Sequence, residues 1–328
     1  MTRTPLTSAL ALLAASLVAS GCDGMTDGGE DAGPSPGIDA GRGGGGDAGP
    51  GAGEDAGPGG STDAGLGGGD AGPGGGADAG GPPPAGSAAD WIRMHFASDP
   101  DITGTITTRT RVETPALVHD ADACCAKYAF DVREAMAPDR REVGFVDVLI
   151  HDLVSGDAFG GGVQTSGAPG VDLFMANVVV EPNWPMWISY SETNKDGLVL
   201  DDSNAIYAED LTIRNWNADG AIDNKAQISQ FVRLTIEGRG NRGIRYWQSG
   251  PHYLVDSNLH NDGGWGEGSI FWFSNCSTAV VNVYNSTFNG MSTIPNSLIS
   301  CDNGSSPTIN YLTVDPRTTG EMHEMFTP

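Results

Sequence analysis

The chain is poor in positive charge, in aromatic residues and in apolar runs long enough to cross a bilayer. Lysine and arginine number 17 against 42 aspartates and glutamates. Beyond residue 89 the counts are 15 and 31, a net charge of −16 for that part. Such a surface repels nucleic acid and anionic lipid, so neither is an expected partner. It would also repel an acidic polysaccharide unless divalent cations bridged the two sets of carboxylates. The longest apolar run, Leu6 to Val18, falls short of the roughly 20 residues a membrane helix needs. Helical periodicity is scarce too, which argues against leucine-rich, ankyrin or tetratricopeptide units.

What is present begins with a targeting pattern. Arg3 supplies a short positive region, the run to Val18 follows, and Ala19, Ser20 and Gly21 precede Cys22. This resembles the bacterial lipoprotein signal, although Ala19 departs from the bulkier residue usual at its place. The resemblance implies cleavage after residue 21, a lipid on Cys22 and export to the cell envelope, with membrane attachment through that lipid only. From residue 22 to 89 the composition shifts to Gly, Asp, Ala and Pro. Asp-Ala-Gly triplets begin at 31, 39, 47, 55, 63, 70 and 78. So little apolar surface cannot offset the entropy of ordering, and the segment is expected to be a disordered tether. As a flexible coil it would reach roughly 45 Å.

The rest, residues 90–328, is long enough for one substantial core, with 90–142 as an irregular cap and first turns. Gly197, Gly220, Gly243 and Gly266 stand 23 residues apart. Each is followed by a short apolar segment, as in LVL at 198–200, AID at 221–223, IRY at 244–246 and SIFWF at 269–273. A second segment comes later in each unit: LTIRN at 211–215, LTIEG at 234–238, LVDSN at 254–258 and VNVYNS at 281–286. VDVLIHD at 146–152 and MANVVVEP at 175–182 look like earlier copies. These alternating β-branched runs, separated by Asn, Asp, Gly and Ser, predict strands. Around Cys124 and Cys125 the pattern reads as either helix or strand. A β-sandwich is the rival architecture, but it does not explain the glycine spacing.

A coil of about 23 residues carrying two or three short strands resembles the single-stranded right-handed parallel β-helix of the pectate-lyase-like superfamily, over residues 143–316. The resemblance implies an all-β solenoid of eight or nine turns, stacked at about 4.8 Å. Stacking at that distance suits a disulfide between Cys276 and Cys301, which are 25 residues apart. It also predicts that Asp196, Asp219 and Arg242 align, as do Asp201 with Asn224 and Asp202 with Lys225.

The stretch NADGAIDNK, residues 217–225, resembles the calcium-binding acids of pectate lyases through Asp219 and Asp223, with Asp196 one turn earlier. That implies Ca2+ and β-elimination from a uronate, in which the metal acidifies a carbon-bound hydrogen and a basic residue removes it. Arg242, Lys225 and Arg245 are the catalytic candidates; Arg239, Tyr246, Trp247 and Trp265 are the candidates for holding substrate. No Arg-Pro-Arg motif of that family is present. The stretch also echoes the Asn-x-Asp-Gly of polygalacturonase-like hydrolases, but the further carboxylates of that mechanism are missing one turn on. Asp-Gly is also an ordinary turn signal, which accounts for Asp219 without any chemistry. His151, His252 and His260 show no metal-ligand spacing. The expectation is a monomeric, exported protein that binds or cleaves an extracellular polysaccharide, set against a non-catalytic structural or adhesive one.

Overall fold

Period-2 alternation without helical periodicity buries apolar residues in strands, and here the strands stack turn upon turn in parallel sheets. The structure, a computed structural model, describes residues 87–98, 104–106, 109–113, 117–120, 128–133, 142–154, 158–166, 170–182, 184–201, 203–263 and 266–327. The signal and Cys22, the tether up to residue 86, Cys124, Cys125, Asp202 and Trp265 lie outside the described residues.

Every named strand pairs in parallel. One sheet has eight strands in chain order: Gly104–Ile106, Tyr128–Arg133, Phe159–Ser166, Asn194–Leu200, Gly220–Asn224, Arg242–Tyr246, Ser269–Asn275 and Ile299–Asn303. The other thirteen strands form a second sheet bent across a corner. Val171–Pro182 and Ser203–Trp216 span that corner: their first halves pair with Glu142–Val146 and Ile228–Val232, their second halves with Leu149–Val154 and Thr235–Gly238. Each turn of chain thus supplies three faces, compatible with a parallel β-solenoid.

The interior is filled row by row. Leu198, Ile222, Ile244 and Phe271 make one inward row of the eight-stranded sheet; Leu200, Asn224, Tyr246 and Phe273 make the next. All are buried. Cys301 continues the second row beyond Phe273 and is joined to Cys276 by a disulfide, with Cα atoms 5.7 Å apart.

The bent corner is built by Asp147, Asn177, Asp210, Arg233, Asp256 and Asn285, all with φ between 47° and 55°. Asn and Asp tolerate this left-handed conformation better than most residues. Their side chains bond along the corner: Asn177 Nδ2 donates to Asp147 (2.8 Å), Arg233 to Asp210 (2.7 Å) and Asn285 Nδ2 to Asp256 (2.7 Å).

The 23-residue step holds in the thirteen-stranded sheet, where Thr212 pairs with Thr235 and Thr235 with Asn258. On the eight-stranded sheet it splits into 24 and 22: Asp196 pairs with Gly220, and Gly220 with Arg242. The expected alignment of Asp196, Asp219 and Arg242 is therefore corrected. Gly220 takes the middle place, and a Cβ there would sit 2.6 Å from Asp196 Oδ1. Likewise Asn224 pairs with Leu200 rather than Asp201, and Lys225 meets Asp201. Gly266 leaves the series too, because the next turn is wider and Arg242 pairs with Ser269.

Residues 88–95 form a helix, Ala88–His95, capped by the Ser87 side chain accepting from Asp90 N–H. Ile92 and Phe96 pack on the outer side of the thirteen-stranded sheet with Val146, Phe174, Val232 and Val255, joined there by Met325 and Phe326. Gly144 makes room for this helix, since a Cβ there would lie 2.5 Å from Ile92.

Candidate functional site on the eight-stranded sheet

Between the inward rows, the outward positions of the eight-stranded sheet form a third row: Val199, Asp223, Arg245, Trp272 and Ser300. Asp223 therefore lies between Val199 and Arg245, not between Leu200 and Tyr246, which flank Asn224. Three of the predicted residues meet at Arg245. Its Nη1 bonds Asp219 Oδ2 at 2.5 Å and lies 3.8 Å from Asp196 Oδ1, while its Nε lies 3.5 Å from Asp223 Oδ1. Asp219 is fully buried and also accepts from Asn241 Nδ2 at 2.8 Å. Asp196 Oδ1 is buried and has no hydrogen-bond partner.

Aromatic rings enclose this group. Trp247 Nε1 donates to Asp223 Oδ1 at 2.5 Å, and its ring lies 5.4 Å from the Arg245 guanidinium carbon and 5.3 Å from Lys225 Nζ. Trp272 lies 4.8 Å from the Arg242 guanidinium carbon and 5.6 Å from that of Arg245. Tyr190, from the segment before Asn194–Leu200, reaches the same two arginines at 5.6 and 5.9 Å. Arg242 is bonded to Glu267 at 2.6 Å; Lys225 is bonded to Asp201 and lies 3.6 Å from Asp223.

The electrostatics follow from crowding several carboxylates around one buried guanidinium. Burial, and then repulsion from Asp219, raise the Asp196 pKa well above the ordinary carboxylate value. Burial also raises that of Asp219, although Arg245 and Asn241 oppose the rise. Burial alone would lower the Arg245 pKa, but Asp223, Asp196 and Asp219 outweigh it and push it up. Lys225 is likewise held protonated, Asp223 and Asp201 outweighing its burial. A base for proton abstraction needs the opposite change, so neither cation is tuned for that role.

The oxygens of Asp219 and Asp223 are engaged by protein donors. Calcium takes six to eight oxygen ligands, and of the three expected acids only Asp196 keeps a buried oxygen without a hydrogen-bond partner, Oδ1. Among the described residues no group of three His, Cys, Asp or Glu is placed to hold a metal ion. Two expected substrate contacts also lie elsewhere. Tyr246 is a core residue, stacked on Phe273 at 5.3 Å and 4.4 Å from buried His252. Arg239 pairs instead with Asp262 at 3.1 Å.

Tyr190, Asn241, Glu267 and Trp272 belong to this cluster, and the motif did not single them out. Trp272 carried a signal: Phe271 and Phe273 on either side face inward, so it must face outward. Tyr190 and Glu267 come from segments between strands, where periodicity says nothing.

One consequence of the crowding can be measured. Asp196→Asn keeps the shape and removes the ionised form. A carboxyl with a raised folded pKa is favoured protonated in the fold, so its contribution to stability falls as pH rises from about 3.8 through the folded value. Thermal unfolding is expected to show the variant more stable than the parent at pH 8, by about 1 kcal/mol or more. The difference should shrink towards pH 4. Equal loss of stability at both pH values would contradict a carboxyl that is held protonated by its surroundings.

No family model, curated protein or solved structure matches this chain. The functional reading therefore rests on the geometry alone.

Proposed function

We propose that this outer face binds an extracellular polysaccharide, and that the protein is an exported, lipid-anchored β-helix of the right-handed, pectate-lyase-like kind that holds its binding face away from the membrane on the residue 22–89 tether. One observation carries the reading: two partly exposed rings, Trp247 (36% accessible) and Tyr190 (43%), are held beside the same buried guanidinium. Aromatic faces stack on the C–H surfaces of sugar rings, while Lys225 and Glu267, both partly exposed, offer a donor and an acceptor to hydroxyls. The buried aspartates would act as struts that fix Arg245 and Trp247 rather than as reacting groups. Binding rather than cleavage is favoured because Asp219 and Asp223 accept from protein donors and Arg245 and Lys225 are held firmly protonated.

Trp247→Ala is expected to weaken retention of the protein in gels containing its polysaccharide about tenfold, or 1.4 kcal/mol. Polyuronate incubated with the protein and calcium should give no ultraviolet-absorbing unsaturated product. If no neutral or acidic polysaccharide retards the parent protein, the binding reading falls. Appearance of the unsaturated product would replace it with the lyase.

A further inference from the structure

A groove of about 860 Å³ opens where the thirteen-stranded sheet turns towards the eight-stranded one. It runs along the stack, because its walls come from the same place in successive turns: Asn215 and Asn217, then Glu237 and Arg239, then His260 and Asp262. Turns spaced about 4.8 Å apart make it a slot along the solenoid axis rather than a pit. Asn217 lies on the same short turn as Asp219, so one strand connection contributes to both the groove and the Arg245 cluster.

The lining contains no apolar side chain larger than glycine, which excludes a greasy ligand. Anions are disfavoured because Asp262 sits among the donors, bonded to Arg239 Nε at 3.1 Å and to His260 Nε2 at 2.7 Å. Glu237, paired across the strands with His260, adds a second negative group. A metal ion is disfavoured as well, since no three ligating groups converge among the described residues. What remains is a row of amides, carboxylates, one guanidinium and one imidazole that both donate and accept. That set suits an uncharged ligand with many hydroxyls.

We propose that this groove is a second carbohydrate subsite, which takes a short neutral oligosaccharide through Glu237, Arg239, His260 and Asp262. The proposal rests on the polysaccharide reading for its ligand class but not on the aromatic face. It reassigns Arg239 from the arginine cluster to a site of its own.

The test is nuclear magnetic resonance on the full chain, whose six histidines give a tractable set of ring signals. His260→Gln assigns one of them. The protein is titrated with neutral cello-, xylo-, manno- and malto-oligosaccharides and, separately, with oligogalacturonate. At least one neutral sugar should shift the His260 signal saturably. Arg239→Ala and Glu237→Gln, at exposed positions, should each weaken that titration at least tenfold, whereas Trp247→Ala should leave it within twofold. A His260 signal that no neutral sugar moves, or that only oligogalacturonate moves, overturns the proposal. So does an unchanged titration in Arg239→Ala. If the Trp247 indole signal responds while His260 stays silent, the groove assignment fails and the aromatic face stands. The reverse pattern retains the groove and sinks the face.

Discussion

Arg245→Met should destabilise the protein by about 3–5 kcal/mol at pH 7, the usual cost of removing one partner from a buried ion pair. The stem volume is kept, so the loss reports the charge. Without the guanidinium, Asp219 retains Asn241 as a donor and Asp223 retains Trp247 and Lys225, but Asp196 and Asp219 face one another without Arg245 beside them. Arg245 opposes the rise of the Asp196 and Asp219 pKa values, so its removal raises both further. Acids with raised folded pKa values cost stability as pH climbs from about 3.8 through the folded values. The defect should therefore be largest at neutral pH and smaller at pH 4, where Asp196 and Asp219 are neutralised by protons. Urea unfolding at the two pH values measures it. Adding Asp219→Asn to Arg245→Met should recover part of the loss at pH 7, a coupling that a simple packing defect would not give. A loss below about 1 kcal/mol at pH 7, or one independent of pH, would mean that Arg245 is not the counter-ion of this cluster.

The difference between reading Asp219 as a turn residue and finding it under Arg245 shows what a repeat can and cannot reveal. Strand positions were legible because β-branched residues alternate around each inward row, and LTIRN and LTIEG do stand one 23-residue step apart. The glycine series was a poorer guide. Gly220 pairs with Asp196 and Arg242, in unequal steps of 24 and 22. The cause is local: the ladder shifts register between Arg214 and Trp216, just before the turn that leads to Asp219. One residue of slip moves a side chain to the other side of a strand. Sequence therefore brought Asp196, Asp219, Asp223, Lys225, Arg242 and Arg245 into one neighbourhood but paired them wrongly, and it cast Asn224's row partner Tyr246 as a ligand contact when it is core. The Cys276–Cys301 pair was legible despite this because a disulfide between neighbouring turns tolerates small differences in step length. Tyr190 and Glu267 were not, since nothing periodic places residues in the connections.

The same register shift sets up the other large effect, at Gly240. Trp216 closes the long strand Ser203–Trp216 and is fully buried. A Cβ on Gly240 would lie 1.9 Å from its Cζ3 and 2.0 Å from its Cε3, with Ala218 O at 2.9 Å on another side. No rotation of a methyl group relieves such an overlap, so Gly240→Ala must push the indole or its own turn out of place, costing about 3 kcal/mol. That turn is tied down by Arg239 N–H to Trp216 O at 3.1 Å and Asn241 N–H to Ala218 O at 2.8 Å. Asn241 then holds Asp219 and, through its Oδ1, the Glu267 amide at 2.7 Å. Displacing it should weaken the proposed polysaccharide binding along with stability. Trp216→Phe removes the benzo ring that the new methyl group would strike. Alone it leaves a cavity and costs stability, but in its presence the alanine should become nearly harmless. A double-mutant cycle by urea unfolding should therefore give a favourable coupling of about 1–3 kcal/mol. Additive losses would show that Gly240 is required for its own backbone conformation and not for the indole packed against it.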